Sequence, residues 1–393
     1  MAGPSLKGIV NPELLAWARV ASRLDMETAA QKIGVAPEKL ASWEDGTAEP
    51  TITQLRKLAD TYRRAVTFFF LERRPRAAKR LPDFRRLELS ADDVESPELA
   101  NVIREAQAKR AEALNIFAES EDTPPEFLIA LDRRLRPEAA AETLRAQLGI
   151  EFQQQRRWSD EYEALRAWKA AAEARGVMIL QSSGVSIDEM RGFAIAEFPL
   201  PVVILNGSDR PLGRIFTLLH ELVHLAHRES ALCDMREQVP RNDEQERIEA
   251  YCNHVAGAVL VPAEFLNLEA DVRRANAQTV WDNEQLSRYR RQFWASRETV
   301  LRRLLILGRT SAQFYRRMRN EFVQQYANQT ANTDIIVPVH RRVLMRNGDF
   351  LTSLALGAYE SGVLTGSALA RVLGTKLEHV PKIITELRSR LVA

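Results

Sequence analysis

The sequence predicts a mainly α-helical chain with one small β-sheet, an α+β arrangement. Three observations carry this. Apolar residues recur at helical spacing along most of the chain, from Glu13–Ser22 to Val380–Leu391. Only three short apolar runs bounded by turn residues read as strands: Gly176–Leu180, Met190–Ala196 and Pro201–Asn206. Directly after them, Phe216–His227 carries His-Glu-Leu-Val-His inside an apolar run with helical periodicity. The 393 residues are 45% apolar and 27% charged, with a formal net charge of +2. That is an ordinary globular composition, long enough for several cores. It gives no global pull towards nucleic acid, so any such binding must come from local patches. Two cysteines, Cys233 and Cys252, make no disulfide framework and suit a reducing cytosol. No leader-like apolar segment opens the sequence, and no run of about 18 apolar residues could span a membrane. The expected location is cytoplasmic, with no membrane partner.

Residues 1–72 read as an all-helical unit. Glu13–Ser22 is the first helix; Glu27–Ile33, stopped by Gly34, is the second. Pro37 opens a third helix through Glu44, stopped by Gly46, and Pro50-Thr51 starts a fourth through Tyr62. Helix, short turn, helix is the helix-turn-helix pattern. Ala29-Ala30-x-x-Ile33-Gly34-Val35, Trp43-Glu44-x-Gly46 and Glu49-Pro50-Thr51-x-x-Gln54-Leu55 resemble an XRE-type, Cro/repressor-like module. In such a module the third helix enters the major groove of double-stranded DNA. Gln31, Lys32, Lys39 and Ser42 are the candidate DNA contacts, on a face that also carries Glu38, Glu44 and Asp45 and is poor in the cations phosphate needs. The other use of such a unit is protein contact or homodimerisation.

Residues 73–95 form a basic, proline-containing linker. Residues 96–175 read as helices punctuated by Pro124-Pro125 and Gly149, with Trp158 and Trp168 as core residues. The three strands open a core at 176–282 and offer an edge on which an extended peptide could add as a strand.

His220 and His224 lie four residues apart, so on a helix both imidazoles can face one small cation. Glu221 lies about 100° further round, beside such an ion rather than among its ligands. Neutral imidazoles suit zinc, the metal activates water, and a carboxylate can move the proton. Catalytic zinc usually takes a third protein ligand. The candidates are His227, Glu244, Glu246, Glu249 and His254, of which Glu249 is the best. It lies in a second apolar-periodic helix that runs from Arg247 and is ended by Pro262, and it shares a face with Asn253 and Ala256. Asn253, His227, His254 and Tyr251 are the candidates for second-layer or substrate contacts.

The pair His220-Glu221-x-x-His224 and Glu249-x-x-Cys252-Asn253-x-x-Ala256-x-x-x-Leu260-x-Pro262 resembles the motifs of the ImmA/IrrE metallopeptidases. Cys252 and Val255 stand where that family usually has Ala and Phe. The resemblance implies a gluzincin-like Zn2+ site with ligands His220, His224 and Glu249 and Glu221 as general base. It also implies a protein substrate, a repressor- or antitoxin-like regulator cut at one exposed site.

Residues 283–328 are helical and arginine-rich, and Phe293–Leu304 looks like a second helix-turn-helix, of a kind members of the family often carry after the zinc site. After a polar linker, residues 334–393 form a small helical module with pieces at Leu351–Glu360, Ser367–Leu373 and Val380–Leu391. The leading expectation is a zinc endopeptidase fused to a DNA-binding-type module. The alternative is a helix-turn-helix regulator whose metal domain senses a ligand or partner and cuts nothing.

Overall fold

The computed structural model describes residues 10–73, 96–228, 232–233, 243–329 and 337–392. The basic linker and the polar linker lie, apart from residue 73 and residues 328–329, outside the described residues. The described residues divide into two compact units, residues 10–73 with 96–107, and residues 108 onward.

The first unit is built on α1 (Pro12–Ala21), α2 (Met26–Ile33), α3 (Pro37–Glu44) and α4 (Ile52–Thr61). Local chemistry sets each boundary. Asn11 and Asp25 accept hydrogen bonds from the first-turn amides of α1 and α2, and Thr51 with Gln54 makes a reciprocal capping box on α4. Gly34 ends α2 in the left-handed conformation, at a φ of 80°. Leu14, Leu15, Ile33, Leu40, Trp43, Leu55 and Leu58 fill the centre. A 3-10 turn at Val66–Phe70 closes it, with Phe68 stacked on Trp17 at 5.6 Å and the Arg64 guanidinium over both rings. The unit continues into α5 (Pro97–Glu119).

Residues 120–136 form no helix, contrary to the helical reading of that stretch. Pro124-Pro125 removes two amide donors and disfavours helical backbone before each ring. Helices resume with α6 (Pro137–Leu148), α7 (Phe152–Gln155) and α8 (Glu161–Glu173).

The sheet holds β1 (Met178–Ser182), β2 (Gly192–Ile195), β3 (Val202–Asn206) and β4 (Leu232–Cys233), in the order β1-β3-β2-β4. β1 runs parallel to β3, and β2 is antiparallel to both β3 and β4. Three strands were expected. The fourth is two residues long, too short for any periodicity to reveal. Every residue of β2 and β3 is buried, as in a sheet covered on both faces. α9 (Pro211–Ala226) lies against β2 and β3, between α8 and α10 (Asp243–Leu260).

Then follow two short turns, α11 (Ala263–Leu266) and α12 (Ala270–Arg274), and the helices α13 (Asn283–Phe293), α14 (Arg297–Ile306) and α15 (Ala312–Gln329). The C-terminal helices are α16 (Val339–Glu360), α17 (Gly366–Leu373) and α18 (Val380–Val392). α16 starts well before the expected Leu351 and is broken at Gly348, at a φ of 71°. It packs on β1. Met178 N–H bonds the carbonyl of Pro201, the residue just before β3, so by strand alternation the Ile179 carbonyl points out of the sheet edge. A Cβ on residue 348 would collide with that carbonyl oxygen. Only glycine allows the backbone of α16 to close the outer edge of β1.

Candidate metal centre

α9 begins with Pro211 at its first position and ends at Ala226 with His227 as cap. All eleven residues from Ile215 to Leu225 are buried. So apolar a helix can keep three ionisable groups inside only if they are partnered. His220, Glu221 and His224 are 3%, 0% and 1% exposed. The i, i+4 spacing brings the two imidazole Nε2 atoms to 3.1 Å of each other.

α10 crosses this face and presents Glu249, 9% exposed. Its Oε2 lies 3.4 Å from His220 Nε2 and its Oε1 lies 3.3 Å from His224 Nε2. Burial works to raise the Glu249 carboxyl, but the hydrogen bonds and charges of His220 and His224 outweigh it and hold the group well below the usual carboxylate range. The three side chains form one group able to hold a metal ion.

The spacing can be tested against a specific ion. Zinc binds imidazole and carboxylate at about 2.0–2.1 Å, so the edge of a tetrahedron of such ligands is about 3.3–3.4 Å. The observed separations of 3.1, 3.3 and 3.4 Å fit that edge. The donor set also fits: two nitrogens and one carboxylate, converging from two helices in a dry pocket.

The remaining candidates behave differently. Glu244 and Glu246 are exposed. His254 Nε2 donates at 2.9 Å to Glu138, which also takes two hydrogen bonds from Arg303 at 2.7 and 2.9 Å. Arg303 is itself fully buried, so Glu138 is the counter-charge of a structural network, and His254 belongs to that network rather than beside the metal group. The Tyr251 hydroxyl donates to the Leu135 carbonyl at 3.2 Å, and its ring lies 5.7 Å from that of His227. His227 caps α9, and its carbonyl accepts from Arg133. Asn253 sits one turn after Glu249, with its Oδ1 buried and without a hydrogen-bond partner among the described residues.

In the first unit, Gln31, Lys32 and Lys39 are exposed, with Lys32 Nζ 3.7 Å from Glu98. Ser42 is half-buried, and its hydroxyl donates to the Lys39 carbonyl at 2.7 Å, turned into its own helix rather than outward. Glu44 does not stand on the open face either. It takes three hydrogen bonds from Arg19 of α1, at 2.9 to 3.2 Å, and so the recognition helix is less acidic than its sequence suggests.

Residues 172–305 match the family model described as the IrrE N-terminal-like domain, Peptidase_M78, and residues 15–69 match a helix-turn-helix model. No curated protein matches the chain. From N- to C-terminus, the chain therefore carries a segment that matches helix-turn-helix modules and then a segment that matches the IrrE N-terminal-like domain.

Proposed function

We propose that the chain is a zinc-dependent endopeptidase that cuts a regulator protein, with its helix-turn-helix unit binding double-stranded DNA or the regulated complex. The observation that carries this is the convergence of His220, His224 and Glu249, from two helices, at the edge length of a zinc tetrahedron, with Glu221 buried beside them. When bound there, zinc would supply a Lewis acid that polarises the scissile carbonyl and makes water acidic enough to attack near neutral pH. His220 and His224 would hold it as neutral imidazoles and Glu249 as a carboxylate, the state its low pKa favours. Glu221 would take the proton from the attacking water and deliver it to the leaving amine. A purely structural metal site has no need for such a group.

Substrate choice follows from access. The four side chains are almost wholly buried, so an extended segment is the form of substrate that fits, rather than a folded surface. Such a segment would add to the sheet on the β4 side, because Gly348 and α16 close the outer edge of β1. A repressor- or antitoxin-like protein with one exposed linker is the class of substrate this favours.

The test is a comparison of protein N-termini in cells expressing wild type or Glu221→Gln. The proposal expects one or a few new N-termini, in a transcriptional regulator, with wild type alone. The same N-termini in both strains would refute it.

A further inference from the structure

A cavity of about 460 Å³ opens at the carboxyl ends of β1 and β3, where α16 and the end of α17 meet the sheet. Its wall carries two cations, Arg342 and Arg346, one turn apart on α16, and no Asp or Glu among the described residues. Neither arginine is in an ion pair among the described residues. Arg346 Nη2 donates to the Leu373 and Gly374 carbonyls at 2.9 and 3.1 Å, which fixes the guanidinium, but its Nε is buried and has no partner among the described residues. The Ser182 hydroxyl, from the end of β1 and in the same wall, is likewise buried and has no hydrogen-bond partner among the described residues. A buried donor left unsatisfied is costly to a protein unless something fills it. Water would serve the serine. Two uncompensated guanidiniums call for an anion.

We propose that this cavity binds a small phosphate-bearing molecule of about nucleotide size. The phosphate lies between Arg342 and Arg346 and accepts from Ser182, and the rest of the ligand rests on Val343 and Met345. A dianion matches two guanidiniums where a single carboxylate leaves one charge over, and the volume falls within the range of small-molecule sites. The site is separate from the metal group. Gln181 in its wall accepts at 3.0 Å from Arg214, a buried residue of α9 six positions before His220, about 9 Å along the helix axis. The ligand therefore sits as an effector against the start of the metal-bearing helix, not as a substrate at its centre.

Calorimetric titration of the full chain tests this whether or not the chain is a peptidase. The probes are AMP and pyrophosphate, with adenosine as the uncharged control. One site per chain is expected for AMP and for pyrophosphate, and none for adenosine. Arg342→Glu, at an exposed position, weakens binding at least about 10-fold by replacing attraction with repulsion. Ser182→Ala weakens it about 3- to 10-fold while leaving the unfolding temperature of the free chain unchanged, because the hydroxyl has no partner to lose. Three results would overturn the proposal: no binding of either phosphate probe at millimolar concentration, equal binding of adenosine and AMP, or affinities that neither variant alters.

Discussion

The metal group and the helix-turn-helix unit handle charge in opposite ways. On α9 and α10 every ionisable side chain of the site is buried, and the donor atoms of His220, His224 and Glu249 lie within 3.4 Å of one another. On α2 and α3 the candidate contacts Gln31, Lys32 and Lys39 stand in water, and a strongly held pair, Arg19 with Glu44, braces α1 against α3. Burial makes chemistry: a dry site strengthens each electrostatic interaction and makes each ligand hard to replace. Exposure makes recognition: solvated cations reach phosphate cheaply, and each contributes little.

The contrast sets the scale of the expected effects. The largest lies in the buried group. Glu221→Gln keeps the ligand set and should lower peptide cleavage by about 10²–10⁴-fold, the usual contribution of a general base, measured on the substrate found in cells. Next is Gly348→Ala. It forces a left-handed backbone and a clash with the Ile179 carbonyl, and should cost about 2–4 kcal/mol in denaturant unfolding of the second unit.

Glu138→Gln strips the counter-charge from buried Arg303. Because the Glu138 side chain is 38% exposed, about 2–3 kcal/mol is expected rather than the full cost of a buried orphan charge. The same carboxyl gives a pH signature. Burial works to raise it, but hydrogen bonds from His254 and Arg303 prevail and hold it at about 2. Its folded pKa is depressed, so its stabilisation is complete above the ordinary carboxylate value of about 4.3 and fades as pH falls from there towards about 2. Wild type should lose stability over that window more steeply than Glu138→Gln.

In the first unit, Arg19→Met should cost about 1–2 kcal/mol in the unfolding of the helix-turn-helix and leave metal content unchanged. The smallest effect is expected of Lys39→Ala: weaker DNA binding across all sequences, with the salt slope reduced by about 1. A large, sequence-selective effect there would mean that the recognition helix reads base edges through Lys39.

What could be read from the sequence divides along similar lines. The i, i+4 histidines, the glycine and proline stops and the helix start at Pro50-Thr51 are local chemistry, and local chemistry is written in adjacent residues. Glu249 stood out because its own helix carries a periodic small-residue face. The strands were legible except β4, whose two residues hold no pattern. Harder features join distant segments. His254 meets Glu138 across 116 residues and Arg303 reaches it across 165, and nothing near either residue announces the pairing. The break at Gly348 answers a carbonyl on β1, and the cationic cavity exists only where β1, β3 and α16 come together.

Metal stoichiometry in purified full-length protein tests the central claim most directly, by elemental analysis of wild type, Glu221→Gln, His224→Ala and Glu249→Ala after zinc loading and exhaustive dialysis. Wild type and Glu221→Gln should each retain one zinc per chain, and the two ligand variants should retain little or none while remaining folded by circular dichroism. Full zinc retention by Glu249→Ala, or none by folded wild type, would contradict the account.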